Sequence, residues 1–283
     1  MNSPRRQRIG VMLAYPLCEN RLSKWPKQFF VQPKLDGIRA LWVPEQGLLS
    51  STGKEIVSVP HIERALVDSG LRHQLDGELY IHGKSFQEIA SIVRREKNLH
   101  PDYEQVVFTV FDIKVEGITQ DKRIDLLMSL GSKYSKAIQL LETHLCDKKR
   151  MMEYLTYFIE IGFEGIILRH PTAMYYPKRS TDLMKLKPTK TDNYLIIGVV
   201  EEVSIDGILK NSLGAFICQT GSEEPFQIGS GPALTRDGRR WLWLNKEKLI
   251  GKVLEVKYQE LTNRKVPRFP VALRILSSSS PNF

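Results

Sequence analysis

Cysteine is scarce in this sequence. Cys18, Cys146 and Cys218 are the only three among 283 residues, odd in number and far apart. That argues against a disulfide framework and against a zinc site, and a reducing compartment is expected. Long apolar runs are missing too: none approaches the ~18 residues of a membrane span. The opening "PRRQR" followed by "IGVMLAYPL" loosely imitates a secretion signal. Pro16 interrupts it and no small-x-small cleavage site follows, so secretion is not expected. There is no Walker-type glycine loop and no GxGxxG between a strand and a helix. These absences exclude P-loop nucleotidases and Rossmann enzymes. No internal repeat occurs, and low complexity is confined to the serine run Ser277 to Ser280.

What is present is a basic, core-forming chain. The formal net charge is +9 and the apolar content is 42%. The apolar share supports a sizeable core, and the length suits one or two domains of about 100–200 residues. A basic surface most often meets polyanions: nucleic acid, nucleotides or anionic membrane. Charge alone does not choose among them.

The runs "FFVQPK", "IRALWV", "QVVFTVFDI" and "GIILR" are short and rich in β-branched and aromatic residues, and predict strands. "SFQEIASIVRREKN" sets Phe86, Ile89, Ala90 and Val93 at helical spacing, with Ser85 and Glu88 placed as a capping box. "KKRMMEYLTYFIEIGF" puts Met151, Leu155, Phe158 and Ile159 on one helix face, closed by Gly162. After "MKLKPTKTDNY" the character changes to short β-like runs separated by Gly and Asp turns, which predicts a small barrel or sandwich. The expected boundary lies near Lys190, giving a larger α+β domain over 1–190 and a small all-β domain over 191–283.

Five short elements carry candidate chemistry. "KLDGIR" holds Lys34, Asp36 and Arg39 at a strand end. "LDGELYI" puts Asp76, Gly77 and Glu78 at the head of another strand. "FTVFDI" closes a strand with Phe111 and Asp112, "FEGIILR" runs from Glu164 to Arg169, and "LMKLKP" sets Lys185 and Lys187 on one side of an extended segment. Each alone has an ordinary reading as a turn, a core aromatic or a solvated charge. Five together, in this order, ask for a shared site. Cations suit a triphosphate. Carboxylates suit Mg²⁺, which usually takes one or two of them plus phosphate oxygens. An aromatic ring suits a purine face. A lysine among other cations has its charged form disfavoured, which makes its amine nucleophilic. Its attack on an α-phosphate leaves a nucleotide on the lysine and releases pyrophosphate.

In order and residue type the five elements resemble the motifs of the covalent nucleotidyltransferase superfamily, and most of all the minimal two-domain ATP-dependent DNA ligases. "FQIGSG", "LIGKVLEVKYQEL" and "VPRFPVALR" look like the oligonucleotide-binding (OB) domain of small DNA ligases, and "VMLAYPL" echoes their opening. The resemblance implies an α+β fold: a nucleotidyltransferase domain of antiparallel sheets with flanking helices, then an all-β OB-fold domain. It implies that Lys34 carries AMP, and that Asp36 and Arg39 work near the nick. Glu78 would bond the ribose hydroxyls, Phe111 stack on adenine, and Gln32 help read the adenine edge. Lys185 and Lys187 would contact the α-phosphate, and Glu78 and Glu164 would serve the metal. The implied co-substrate is ATP, with Mg²⁺ or Mn²⁺, and the partner is nicked duplex DNA met in replication, repair or recombination. A monomer inside a cell, bacterial or virus-infected, is expected, with no membrane.

Two departures stand out. Such ligases commonly carry a Ser-Arg pair after the second strand, where this chain has Ser50 and Ser51. Their final motif commonly ends Arg-x-Asp-Lys, whereas here Arg274 is followed by Ile275, Leu276 and Ser277, which leaves Arg264, Lys265 and Arg268 as substitutes. An mRNA guanylyltransferase shares "KxDG" and "DGE" but usually has Asp in the fourth motif. An RNA ligase usually departs from "DGE". A basic β-barrel that only binds nucleic acid leaves Lys34, Glu78, Glu164 and the lysine pair without a role.

Overall fold

The computed structural model describes residues 10–262 and 264–276, the side chain of residue 132 excepted. The "PRRQR" segment and the serine run lie outside the described residues. The chain divides into two compact units, Met1–Lys187 and Pro188–Phe283.

The first unit comprises β1 (Leu13–Pro16), α1 (Glu19–Leu22), β2 (Gln28–Lys34), β3 (Ile38–Val43), β4 (Gly47–Ser50), α2 (Pro60–Asp68) and β5 (Gln74–Tyr80). It continues with α3 (Phe86–Val93), β6 (Val107–Lys114), α4 (Gln120–Ser129), β7 (Ile138–Leu140), β8 (His144–Asp147), α5 (Met151–Glu160), β9 (Gly165–Arg169) and β10 (Arg179–Leu186). Two five-stranded sheets result, ordered β1-β10-β9-β2-β8 and β4-β3-β5-β6-β7. Most pairs are antiparallel, as expected, but one edge of each sheet is parallel: β1 with β10 and β6 with β7. Parallel pairing needs a long crossover. Here α4 separates β6 from β7, and most of the unit separates β1 from β10.

Each sheet buries one apolar face. Leu75, Leu79, Phe108 and Val110 pack with Ile62, Leu66, Ile89 and Leu127 from α2, α3 and α4. Phe29, Val31, Ile166, Leu168 and Met184 pack with Leu155 and Phe158 of α5. The α3 capping box forms: the Glu88 amide donates to Ser85 Oγ and the Ser85 amide to Glu88 Oε2. This helix stops at Val93, short of the expected Asn98. Residues 94–98, "RREKN", offer no apolar side chain to bury, and Asn98 takes φ +56°. The α5 helix ends as expected, at Gly162 with φ +94°.

The second unit has β11 (Lys190–Val203), β12 (Leu209–Gln219), β13 (Pro225–Ile228), α6 (Arg236–Leu244), β14 (Val253–Tyr258) and β15 (Val271–Leu276). Its sheet is ordered β13-β12-β11-β14-β15 and buries Ile196, Phe216, Ile228, Leu254 and Val256. The α6 helix is an addition to the β-only expectation. Thr235 Oγ1 caps it, Leu242 packs into the core, and Arg239 donates to the carbonyls of Leu213, Gly214 and Gly229. Among the described residues no helix is long and apolar enough to cross a membrane.

Candidate active site

Lys34 is the last residue of β2 and pairs with Gly165 at the start of β9. The amide of Glu164 donates to the Lys34 carbonyl at 3.0 Å, which fixes Glu164 beside the lysine. Its carboxylate then bridges two amines: Lys34 Nζ donates to Oε2 and Lys187 Nζ to Oε1. Gly165, with φ +155°, makes this possible. A Cβ there would collide with the Leu186 carbonyl and crowd Lys187 Cα at 3.1 Å.

A cavity of about 250 Å³ opens beside Lys34. Gln32, Lys34, Arg39, Glu78, Phe111, Arg169, Arg179 and Lys185 line it, with Leu13, Ile167 and Leu183 among its apolar walls. Six residues singled out from sequence thus meet in one cleft. Asp36 is exposed and does not line it, and Lys187 shares the Glu164 carboxylate with Lys34. Arg39 and Glu78 are register partners on β3 and β5. The Asp-Gly-Glu stretch therefore lies within β5 rather than at its head. Gly77 is needed there, because a Cβ would meet the Thr109 carbonyl at 2.6 Å and the Phe108 ring at 2.7 Å. Likewise β6 runs through Phe111 and Asp112 to Lys114 instead of closing on them.

Arg39 is held tightly. Its Nε donates to Asp76 Oδ1 at 2.9 Å, Nη2 to Oδ2 at 2.5 Å, and Nη1 to the Met12 carbonyl at 2.7 Å. The Tyr175 hydroxyl donates to the same Asp76 at 2.7 Å. Two guanidiniums approach the Phe111 ring, Arg39 at 5.3 Å and Arg169 at 5.4 Å from its centroid.

Behind the cleft runs a buried polar network that the sequence did not reveal. Arg169 donates to Gln32 Oε1 at 2.6 Å and to Asp112 Oδ2 at 2.7 Å. Arg123 of α4 donates to Asp112 Oδ1 at 2.8 Å and to Gln120 Oε1 at 2.7 Å. Arg123 sits in "QDKRIDLLMS", where an arginine reads as a solvated helix face; no local pattern marks it as buried. Gln32 is drawn into the same network. Its amide nitrogen donates to the Phe111 carbonyl at 3.2 Å and to Thr143 Oγ1 at 2.8 Å. Its amide nitrogen thus meets two protein acceptors, while the residue also lines the cleft.

Electrostatics follow from burial. The Lys34 amine is shifted below the ordinary lysine range by desolvation, against the pull of Glu78 and Asp36. The expected cause was neighbouring cations; the operative one is dehydration, because the charges nearest Lys34 are mainly carboxylates. Lys185 is lowered by burial and then by Lys34 and Arg179. Burial pushes Glu78 up to about 7, with Lys34 and Arg39 pulling the other way. For Arg39 burial works downward, but the Asp76 carboxylate raises it overall. Arg169 is lowered because burial outweighs Asp112.

Among the described residues no group of three or more metal-ligating side chains exists. Glu78 and Glu164 are single carboxylates near a cation-lined cleft. That set fits a divalent ion held partly by phosphate oxygens and water, not one caged by protein.

Two sheets and a polar cleft at a dehydrated lysine, followed by a separate five-stranded unit, define a two-unit protein able to hold an anion against an amine. Comparison with known proteins gives the family. The model of the ATP dependent DNA ligase domain matches residues 11–187, and that of the DNA ligase OB-like domain matches 206–275. The chain belongs to the ATP-dependent DNA ligase family. It is 28% identical to the Haemophilus influenzae DNA ligase over 238 residues, 83% of this chain and 82% of that one. It is 30% identical to an African swine fever virus DNA ligase over 281 residues, 87% of this chain and 64% of the viral enzyme. A solved Lig E DNA ligase shares the fold at TM-score 0.74 and 24% identity, over 94% of this chain and 99% of that one. The Chlorella virus DNA ligase-adenylate gives TM-score 0.55 at 25% identity, covering 97% and 100%. Nothing in these comparisons favours a capping enzyme.

Proposed function

We propose that this ligase seals nicks in duplex DNA through an adenylate on Lys34. The observation carrying this reading is the partly buried Lys34 amine, bonded to Glu164, in a cleft that also presents Glu78, Phe111 and Lys185. In the first step Nζ attacks the α-phosphorus of ATP. An N–P bond forms, the bond to pyrophosphate breaks, and the leaving proton passes to Glu164, which already accepts a hydrogen bond from that amine. In the second step an oxygen of the 5′-phosphate attacks the same phosphorus, and Lys34 leaves and regains its proton. In the third the 3′-hydroxyl oxygen attacks the activated 5′-phosphate, its proton passes to solvent, the phosphodiester forms, and the bond to AMP breaks so that AMP departs.

The side chains supply positioning and charge. Lys185 meets the α-phosphate from the cleft wall, and Lys187 acts beside it through Glu164. Glu78 accepts from the ribose hydroxyls. Phe111 offers a ring to adenine, and Gln32, in the same cleft wall, helps read the adenine edge. Asp36 and Arg39 stand on the side where the nick is presented. Glu164 and Glu78, with phosphate oxygens, would hold Mg²⁺ or Mn²⁺, which when bound offsets negative charge on the reacting phosphates. The name of the Chlorella virus relative, a ligase-adenylate, supports the covalent reading. The protein is read as a monomer acting on DNA inside a cell.

Incubation with labelled ATP or GTP and Mg²⁺, followed by denaturing electrophoresis and intact-mass analysis, tests this. ATP should leave an adenylyl group on Lys34. Lys34→Ala should take no label yet still close a pre-adenylated nick. A label from GTP alone, or normal labelling of Lys34→Ala, refutes the assignment.

A further inference from the structure

A second cleft in the first unit, of about 530 Å³, opens beside the nucleotide-sized one. Three stretches wall it: the start of β3, the turn after β4, and the end of α3. Arg39 lines both clefts, which makes them neighbours. Its charge comes from Lys54, Arg94 and Arg95, against Glu55 and Glu96, while the turn residues Ser50, Ser51 and Thr52 are neutral. The two arginines are set by their neighbours. Arg94 lies 5.4 Å from the centroid of the Phe86 ring, and Arg95 Nε donates to the Ser91 carbonyl at 3.3 Å. Helix α3 ends at Val93, and both arginines follow it in the cleft wall.

Lys54 Nζ donates to Glu96 Oε1, from the turn after β4 to the segment after α3, and both side chains are well exposed. The pair spans the cleft and places a carboxylate among its cations. Exposed pairs of this kind hold weakly. A phosphate arriving at the cleft meets Arg94 and Arg95 directly and competes with Glu96 for Lys54.

We propose that this second cleft is a track for the phosphodiester backbone of the DNA strand presented to Lys34, with Arg94, Arg95 and Lys54 as its cations and Glu96 as an internal competitor. The inference rests on the ligase reading and adds the residues that hold the strand. Because the competitor is anionic, removing Glu96 tightens binding, whereas removing the arginines weakens it.

The test uses the full chain with three variants: Arg94→Ala/Arg95→Ala, its Lys/Lys counterpart, and Glu96→Gln. Labelling from ATP should be unchanged in all three. Affinity for a nicked, 5′-phosphorylated duplex is read by fluorescence anisotropy over a salt series. The Ala/Ala variant should bind more weakly at low salt, with a log–log salt slope shallower by about one per arginine lost. The Lys/Lys variant should restore most of that slope, and Glu96→Gln should bind a few-fold tighter than the parent. Unchanged affinity and slope in the Ala/Ala variant overturn the track, as does weaker binding by Glu96→Gln. Loss of labelling in the Ala/Ala variant would assign these arginines to the nucleotide step and equally overturn it. A parent protein that takes no label refutes the Lys34 reading instead, so the two failures are distinguishable.

Discussion

Replacing Glu78 with glutamine gives a pH-resolved test of the buried carboxylate beside Lys34. Burial raises its folded pKa from 4.5 to about 7, despite the attraction of Lys34 and Arg39. The sign follows from which state holds the proton. Between pH 4.5 and about 7 the folded protein keeps it while the unfolded chain has lost it. The contribution of Glu78 to stability is thus fully present below pH 4.5 and is lost as pH rises to about 7. At about 1.4 kcal/mol per pH unit, that window is worth up to about 3 kcal/mol. Glutamine carries no titrating proton. Stability of parent and variant, measured by urea unfolding at several pH values, should therefore diverge. The variant should gain on the parent by up to about 3 kcal/mol between pH 4 and pH 8, or about 6–12 °C in melting temperature for a unit of this size. Differences from every other titrating group cancel to the extent that they are shared. Parallel stability curves for the two proteins would refute the claim that dehydration dominates at Glu78. Near pH 8, where Glu78 is ionised, the same variant should need more ATP for self-adenylation, since it loses an anionic acceptor for the ribose.

Phe111→Ala should raise the ATP requirement of self-adenylation more than it slows closure of a pre-adenylated nick; equal loss in both assays would argue against stacking. Asp112→Asn leaves Arg123 and Arg169 buried without their shared counter-ion, and should cost about 3–5 kcal/mol of unfolding free energy by chemical denaturation. Gly165→Ala should abolish or strongly reduce adenylation while leaving duplex binding near the parent level, because the new Cβ drives β10 and Lys187 away from Glu164. Retained adenylation there would show that the Glu164 bridge is dispensable.

Much of the site was legible before any fold was known. The strands ending in "QPK" and beginning "GIILR" and the α3 capping box appear where local pattern puts them, and the five elements keep their order, with Asp76 to Glu78 inside β5 and β6 running on past Asp112. The reason is that period, cap and turn chemistry act over a few residues, and a lysine at a strand end is visible in one line of text. Gln32 shows where that reasoning stops. Its place two residues before Lys34 is plain in the sequence, but its partners Arg169 and Thr143 are more than a hundred residues away along the chain. The helix α6 went unread although "RDGRRWLWL" is amphipathic, with Leu242 on its buried side; its hold on the sheet, by bonds from Arg239 to carbonyls of distant strands, is not visible locally.

The sequence by itself determined the chemistry on offer: which strands form, which ends carry cations and carboxylates, and the nucleotidyl-transfer class those residue types serve. Only the tertiary structure decided which of them share a cleft, why the Lys34 amine is shifted, and which arginines are buried supports rather than solvated charges. The physical reason is that propensity is local, whereas dehydration and long-range pairing depend on what the folded chain brings alongside each group. Lys34 reads the same in either description, but its reactivity is a property of the walls around it.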